Sequence, residues 1–204
     1  MEKIDVEKLL SQLEEKRPVF HSEADLQHEL AWLLHNEFPR SSVRLEKPYT
    51  SESGKSEYVD IFAGIIGKKY FIELKYKTKE LKPKKEINGE KFHLKNQGAQ
   101  DCGRYDFWKD VSRIESKVAE TNNSFGYVIF LTNDHSYLRE PRKTSLTYNY
   151  RTTDGRKVTK CSLGSLKGYN KGRERNIKIK NSYEIKWKNY GNHDFKFLLL
   201  EIKK

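Results

Sequence analysis

Two strand-like segments joined by a short turn constrain this chain more than anything else in it. They are Tyr58-Val59-Asp60-Ile61-Phe62-Ala63 and Tyr70-Phe71-Ile72-Glu73-Leu74-Lys75-Tyr76. Apolar, aromatic and β-branched residues dominate both, as in strands. Ile65, Ile66, Gly67 and Lys68 lie between them, and Gly67-Lys68-Lys69 is a natural turn. A hairpin lays the strands side by side, so Asp60 is expected near Glu73. Side chains alternate along a strand, so Glu73 and Lys75 share a face while Leu74 points into the core. Two carboxylates and an ammonium then converge on one spot of a sheet, where burial is costly unless something compensates the charge.

A hard divalent cation is one such compensation. Mg²⁺ prefers carboxylate oxygens and keeps waters that a substrate phosphate can displace. It polarises a phosphoryl oxygen and makes bound water a better nucleophile. A neighbouring lysine can position or deprotonate that water, or stabilise developing negative charge. The competing reading is a surface strand with an incidental Glu-x-Lys pair, a common combination by chance.

The flanking segments bear on this choice. Residues 22–38 read as an amphipathic helix, with Ser22 as N-cap and Pro39 as a stop. Leu26, Leu30, Leu33 and Leu34 form its inner stripe. Glu23 falls on the edge of that stripe, either aimed at the Asp60 and Glu73 site or simply favoured there by the helix dipole. His28 and His35 project from the opposite face and lack the i, i+4 spacing of a metal pair. Residues 97–120 read as the longest helix, with Gln100, Arg104, Phe107, Val111, Ile114 and Val118 at steps of three and four. The stripe is core from Phe107 onward and polar before it. Gln100 and Arg104 are therefore expected to meet a substrate phosphate, with fraying into solvent as the alternative.

With Glu23, Asp60, Glu73-Leu74-Lys75 and Gln100 in this order and on these elements, the chain resembles the PD-(D/E)XK nucleases across about residues 20–132. That superfamily includes restriction endonucleases, junction resolvases and repair exonucleases. The resemblance implies a restriction-endonuclease-like α/β core, a mixed sheet flanked by helices in αβββαβ order. It implies that Asp60 and Glu73 are metal ligands, with the Leu74 carbonyl as a third, that Glu23 is an outer ligand, and that Lys75 serves the attacking water. Gln100 matches a Gln or Lys that the family often offers near the site. Val59 stands where the family often has Pro. The Gln-x-x-x-Tyr signature of the exonuclease branch is absent, because Tyr105 follows Gln100 one place too late. The stretch from Gln97 to Glu115 is similar to one in small bacterial members.

Charge points to a polyanionic partner. The chain has 40 Lys plus Arg against 29 Asp plus Glu, a net of +11. Residues 142–188 alone hold 14 cations against 3 acids and account for the whole excess. Tyr148, Tyr150, Tyr169, Tyr183 and Trp187 stand among those cations, an interleaving suited to phosphate contact and base stacking. Arg173, Arg175, Lys178 and Lys180 are the expected DNA-binding cations of that stretch. A second basic run, residues 75–95, includes Lys79, Lys82, Lys84 and Lys85. It reads as a protruding flap with a hairpin turn at Ile87-Asn88-Gly89-Glu90. Lysines that merely confer solubility are the alternative.

The remaining features set bounds. A chain of 204 residues fits a single nuclease-like domain, with its core at about 20–132 and a basic extension at about 140–204. No stretch approaches the roughly 20 apolar residues of a membrane span, and no signal peptide is read. Cys102 and Cys161 lack CxxC spacing, which suggests a reduced cytoplasmic protein and no zinc finger. Further expected elements are a helix at 3–16, strands at about 43–49, 57–65, 69–76 and 125–131, a loop at 162–175, and a late hairpin at 183–190 and 195–202. The late hairpin either extends the sheet or forms a homodimer contact. Together these readings describe a Mg²⁺-dependent DNA endonuclease, with Mn²⁺ able to substitute. A non-catalytic nucleic-acid-binding module, or a subunit completed by a larger complex, is the alternative.

Overall fold

The computed structural model describes residues 3–51, 54–81, 86–165 and 172–204. Helix α1 (Val6–Lys16) starts where the Asp5 side chain accepts a hydrogen bond from Lys8 N. Helix α2 (Glu23–Glu37) starts where Ser22 Oγ accepts one from Asp25 N, so both N-termini are closed by short polar side chains. Strands β1 (Ser42–Thr50), β2 (Ser56–Ile65) and β3 (Lys68–Lys77) follow as an antiparallel meander. The β2–β3 turn is Ile66-Gly67, one residue earlier than expected, and Lys68 already pairs with Ile65. Both turn residues have positive φ, 49° and 72°, the geometry that suits the twist of a two-residue hairpin.

A small hairpin, β4 (Glu86–Ile87) with β5 (Glu90–Lys91), precedes helix α3 (Gln100–Glu120). It turns on Asn88-Gly89, as expected, while Lys82, Lys84 and Lys85 lie outside the described residues. The long helix begins at Gln100 rather than Gln97. Gln97 N is engaged by Thr78 O at 2.9 Å, and Ala99 sits at φ 60°, outside helical space. Strand β6 (Ser124–Thr132) then runs parallel to β3, with α3 as the crossover such a pair requires. From α2 to β6 the large elements therefore follow the order αβββαβ.

Four short strands come next: β7 (Lys157–Val158), β8 (Cys161–Gly164), β9 (Ile177–Ile179) and β10 (Tyr183–Glu184). They pair as β7 with β10 and β8 with β9. Part of the segment expected as a loop at 162–175 is thus strand, and residues 166–171 lie outside the described residues. The late hairpin, β11 (Trp187–Tyr190) with β12 (Phe195–Ile202), extends the central sheet beyond β6. The order is β1-β2-β3-β6-β12-β11, a mixed six-stranded sheet in which only β3 and β6 are parallel.

The sheet separates two cores. Leu26, Leu30, Leu34, Ile61, Ile72 and Leu74 pack between it and α1 and α2. Phe71, Phe107, Val111, Ile114, Val128 and Phe130 pack between it and α3. The apolar run of β6 is explained by this: Ile129 serves the first core, while Val128 and Phe130 serve the second. Gly126 lets β6 approach α3, since a Cβ there would lie 2.2 Å from Ile114 Cγ2 and 3.0 Å from Val118 Cγ2. Gly126→Ala should destabilise the fold by about 1–3 kcal/mol through overpacking. Urea unfolding reads this directly, and an unchanged midpoint would contradict the close packing of β6 on α3.

The basic extension covers the outer side of α3, burying Tyr105 and Trp108 completely. This corrects the expectation of base stacking for Tyr150 and Tyr183, while Tyr148 is half-buried with the Arg151 guanidinium 4.1 Å over its ring. Tyr150 and Tyr183 are core residues, 1% and 8% exposed. Trp108 Nε1 donates to Tyr150 O at 3.0 Å, and Tyr183 OH donates to Glu115 Oε1 at 2.8 Å. Trp187 packs on Phe130 at 5.4 Å between ring centroids. Tyr169 lies outside the described residues. Cys102 and Cys161 form no disulfide. Among the described residues no helix is long and apolar enough to cross a membrane.

Candidate active site

The β2–β3 ladder stops at Ile61 and Ile72, and β2 diverges from β3 beyond that point. Val59 and Ile61 belong to opposite cores although they are two residues apart, so the strand alternation breaks at Asp60. Where β2 has left, carboxylates take over the outward N–H groups of β3. Asp60 Oδ2 accepts from Leu74 N at 2.6 Å, and Glu23 Oε2 accepts from Tyr76 N at 2.7 Å. The two acids thus lie along one edge of β3, and the backbone needs them or some other acceptor there. Gln27 Nε2 donates to Asp60 O at 2.7 Å and ties α2 to the same point. Neither Asp60 Oδ1 nor Glu23 Oε1 is hydrogen-bonded among the described residues. Burial raises the Asp60 carboxyl to about 6, with Asp110 and Glu23 adding to the rise while Leu74 N and Lys75 oppose it.

Glu73 and Lys75 share the face toward α3, as strand alternation requires. Glu73 is only 2% exposed. Burial first, then Asp110 and Asp60, hold its pKa well above the ordinary carboxylate value. Among the described residues its Oε1 receives no hydrogen bond, and Arg113 Nη2 stands 3.3 Å from it. Lys75 Nζ lies 2.7 Å from Asp110 Oδ2, an ion contact without hydrogen-bond alignment, and 3.3 Å from the Leu74 carbonyl. Burial works against the charge on Lys75, but Asp110 and Glu23 outweigh it and keep its pKa above the usual lysine value. An ammonium so placed can hold charge and orient water.

The residues that bind this site together are ones the sequence reading did not assign. Asp110 and Arg113 are one turn apart on α3 and 3.0 Å apart. Arg113 also pairs with Glu57 at 3.0 Å, donates to Tyr49 OH at 3.1 Å and to the Tyr58 carbonyl. The available signal was the position of Asp110, three residues from Phe107 and four from Ile114, in the phase of the buried stripe. An acid in a core phase needs a cationic partner.

Other predicted residues lie elsewhere. Gln100 Nε2 donates to Asp134 Oδ2 at 2.8 Å, beside the Lys79–Asp134 ion pair at 2.8 Å. Arg104 is buried, donates to Ser136 O at 2.6 Å and stacks over the Tyr137 ring. Both are thus held against the segment after β6 rather than beside Lys75. Arg173 pairs bidentately with Asp106 at 3.0 and 2.6 Å, and Arg175 lies 3.7 Å from Glu57. Lys178 and Lys180 are exposed on and just after β9, and Lys180 Nζ donates to Ser116 Oγ at 3.1 Å.

An open polar cleft of about 420 Å³ lies over the site, lined by Glu23, Lys75, Lys77, Lys109, Asp110 and Arg113, with the Arg173–Asp106 pair at its rim. Among the described residues no group of three or more His, Cys, Asp or Glu side chains is gathered closely enough to hold a metal ion. The three acids therefore do not form a ready cage. The donor set nevertheless suits a hard cation, because Mg²⁺ needs only one or two carboxylates besides water and phosphate oxygens. Asp60 raises the pKa of Glu73, and Glu23 raises that of Asp60, repulsions that a cation relieves. The chain matches no protein-family model, no curated protein and no solved structure.

Proposed function

We propose that this chain is a Mg²⁺-dependent phosphodiester hydrolase acting on DNA, an endonuclease with a restriction-endonuclease-like core. The observation that carries the reading is buried Glu73, whose Oε1 accepts no hydrogen bond and faces the Arg113 guanidinium at 3.3 Å, beside an Asp60 whose pKa is raised, below a cleft rich in cations. The αβββαβ order of the large elements supports it. Asp60 and Glu73 would hold the ion, with the Leu74 carbonyl as a third donor and Glu23 acting through water. The bound ion would polarise the phosphoryl oxygen and lower the pKa of its water. Lys75 keeps a positive charge at the cleft floor, where it steadies the attacking water and the charge that develops on the phosphoryl oxygens. Asp110 holds Lys75 in place, and Arg113 holds both Asp110 and Glu73.

Lys75→Ala should leave metal affinity within a few fold and lower the cleavage rate about 10²-fold or more. Calorimetry beside single-turnover kinetics separates the two effects. An unaltered rate would return Lys75 to the role of a structural cation.

One observation favours a second reading, a nucleic-acid-binding module without catalysis. Arg113 Nη2 already stands 3.3 Å from Glu73 Oε1 and neutralises it. Supercoiled, linear, single-stranded and branched DNA, each incubated with Mg²⁺ or Mn²⁺ and with EDTA, distinguish the two. Metal-dependent nicks with mapped ends support the hydrolase. Binding without cleavage of any substrate supports the module.

A further inference from the structure

The cleft over Lys75 contains cations of two kinds. Lys75, Arg113 and Arg173 are each paired with an acid: Lys75 with Asp110, Arg113 with Asp110, Glu57 and Glu73, and Arg173 with Asp106. Lys77 and Lys109 are half-buried and line the same cleft, yet neither has an ion-pair or hydrogen-bond partner among the described residues. Among the described residues Glu23, held by Tyr76 N, is the lining acid outside the pairs, while these two lysines are the cleft's cations without an ion-pair partner. Their placement is regular. Lys77 shares the β3 face of Lys75, two residues and about 6.6 Å further along the strand, on the scale of one nucleotide of backbone. Lys109 precedes Asp110 on α3, beside the carboxylate that holds Lys75.

We propose that Lys77 and Lys109 form a subsite for a backbone phosphate of DNA, the one next to the phosphate at Lys75. This rests on the nucleic-acid reading above and assigns strand positioning to the cleft itself rather than to the basic extension. Two ammonium groups from different elements close on one anion, and the ordering cost is small because both stems are already half-buried. The subsite fixes which phosphate of the strand lies over Asp60 and Glu73. It reads no base, since phosphate contacts position without specifying sequence.

The test is DNA affinity measured by fluorescence anisotropy with a labelled duplex in EDTA, across a range of KCl concentrations. The Lys77→Gln/Lys109→Gln double variant should lower the slope of log K against log salt by about 0.9, one phosphate contact, and raise Kd about tenfold at moderate salt. Arginine at both positions should restore the slope. Lys8→Gln/Lys16→Gln, on α1 across the sheet, removes the same charge and should leave the slope unchanged. If this control lowers the slope as much as the cleft variant, the effect is net charge alone and the subsite is overturned. If the wild type binds DNA with a clear salt slope and the cleft variant matches it, the subsite is overturned while the nuclease reading stands. A wild type with no salt-dependent DNA binding overturns both.

Discussion

Asp60→Asn should abolish metal-dependent cleavage and, in the same preparation, make the metal-free protein more stable at neutral pH. The substitution removes a ligand charge but keeps an oxygen for Leu74 N, which Asp60 Oδ2 now serves at 2.6 Å. The sign follows from burial. The folded-state pKa of Asp60 is about 6, raised from 3.8. The folded protein therefore holds a proton that the unfolded chain releases earlier. That contribution to stability is complete below pH 3.8 and is lost as pH rises through about 6. Above it the fold carries a buried anion at a cost of about 2–3 kcal/mol, at 1.36 kcal/mol per pKa unit. Urea unfolding should thus show wild type and variant equally stable near pH 4 and the variant ahead by about that amount at pH 7.5. Glu73→Gln should move in the same direction, because burial, Asp110 and Asp60 also raise its pKa. Gained stability with lost activity is the pattern of a site held together for function. Loss of stability at pH 7.5 in both variants would instead mark these acids as structural.

Arg113→Ala should strongly destabilise the fold. The guanidinium faces Glu57, Glu73 and Asp110, all within 3.3 Å, and donates to Tyr49 OH and the Tyr58 carbonyl. The Asp110 and Glu73 side chains are nearly inaccessible to water. Removing the cation leaves buried carboxylates unpaired, a loss of about 3–5 kcal/mol. The acids then escape by taking up protons, so the deficit should shrink as pH falls. Urea unfolding at pH 7.5 and pH 5 tests both size and direction. A loss under about 1 kcal/mol at pH 7.5 would show that the network is solvent-screened and does not hold α3 to the hairpin.

The local part of this structure was legible in the sequence. The helix cap at Ser22, the two-residue turn at Asn88-Gly89 and the apolar strand β6 are all determined within a few residues of themselves. The β2–β3 turn is displaced by one residue because Ile66, a β-branched residue, takes positive φ, which sequence chemistry disfavours. What could not be read was determined by distant partners. Helical periodicity names one buried face, but α3 is covered by the sheet on one side and by β7 to β10 on the other. That second cover turns Tyr150 and Tyr183 from candidate stacking surfaces into core. It also makes Trp108 interior. Gln100 and Arg104 were read as aimed at an anion, yet Asp134 and Ser136, more than thirty residues on, engage them. Asp60, Glu73 and Lys75 were legible because a hairpin is local, whereas Asp110 and Arg113 reach them only through tertiary packing.

The central claim is that Asp60 and Glu73 together take up a divalent cation. Mn²⁺ titration of the wild type and of the Asp60→Asn/Glu73→Gln double variant by calorimetry, at pH 7.5 and in the absence of DNA, tests it most directly. The account predicts a saturable site in the wild type that disappears in the double variant, while circular dichroism shows the variant still folded. Titration curves that are flat for both proteins, or identical in both, would contradict it.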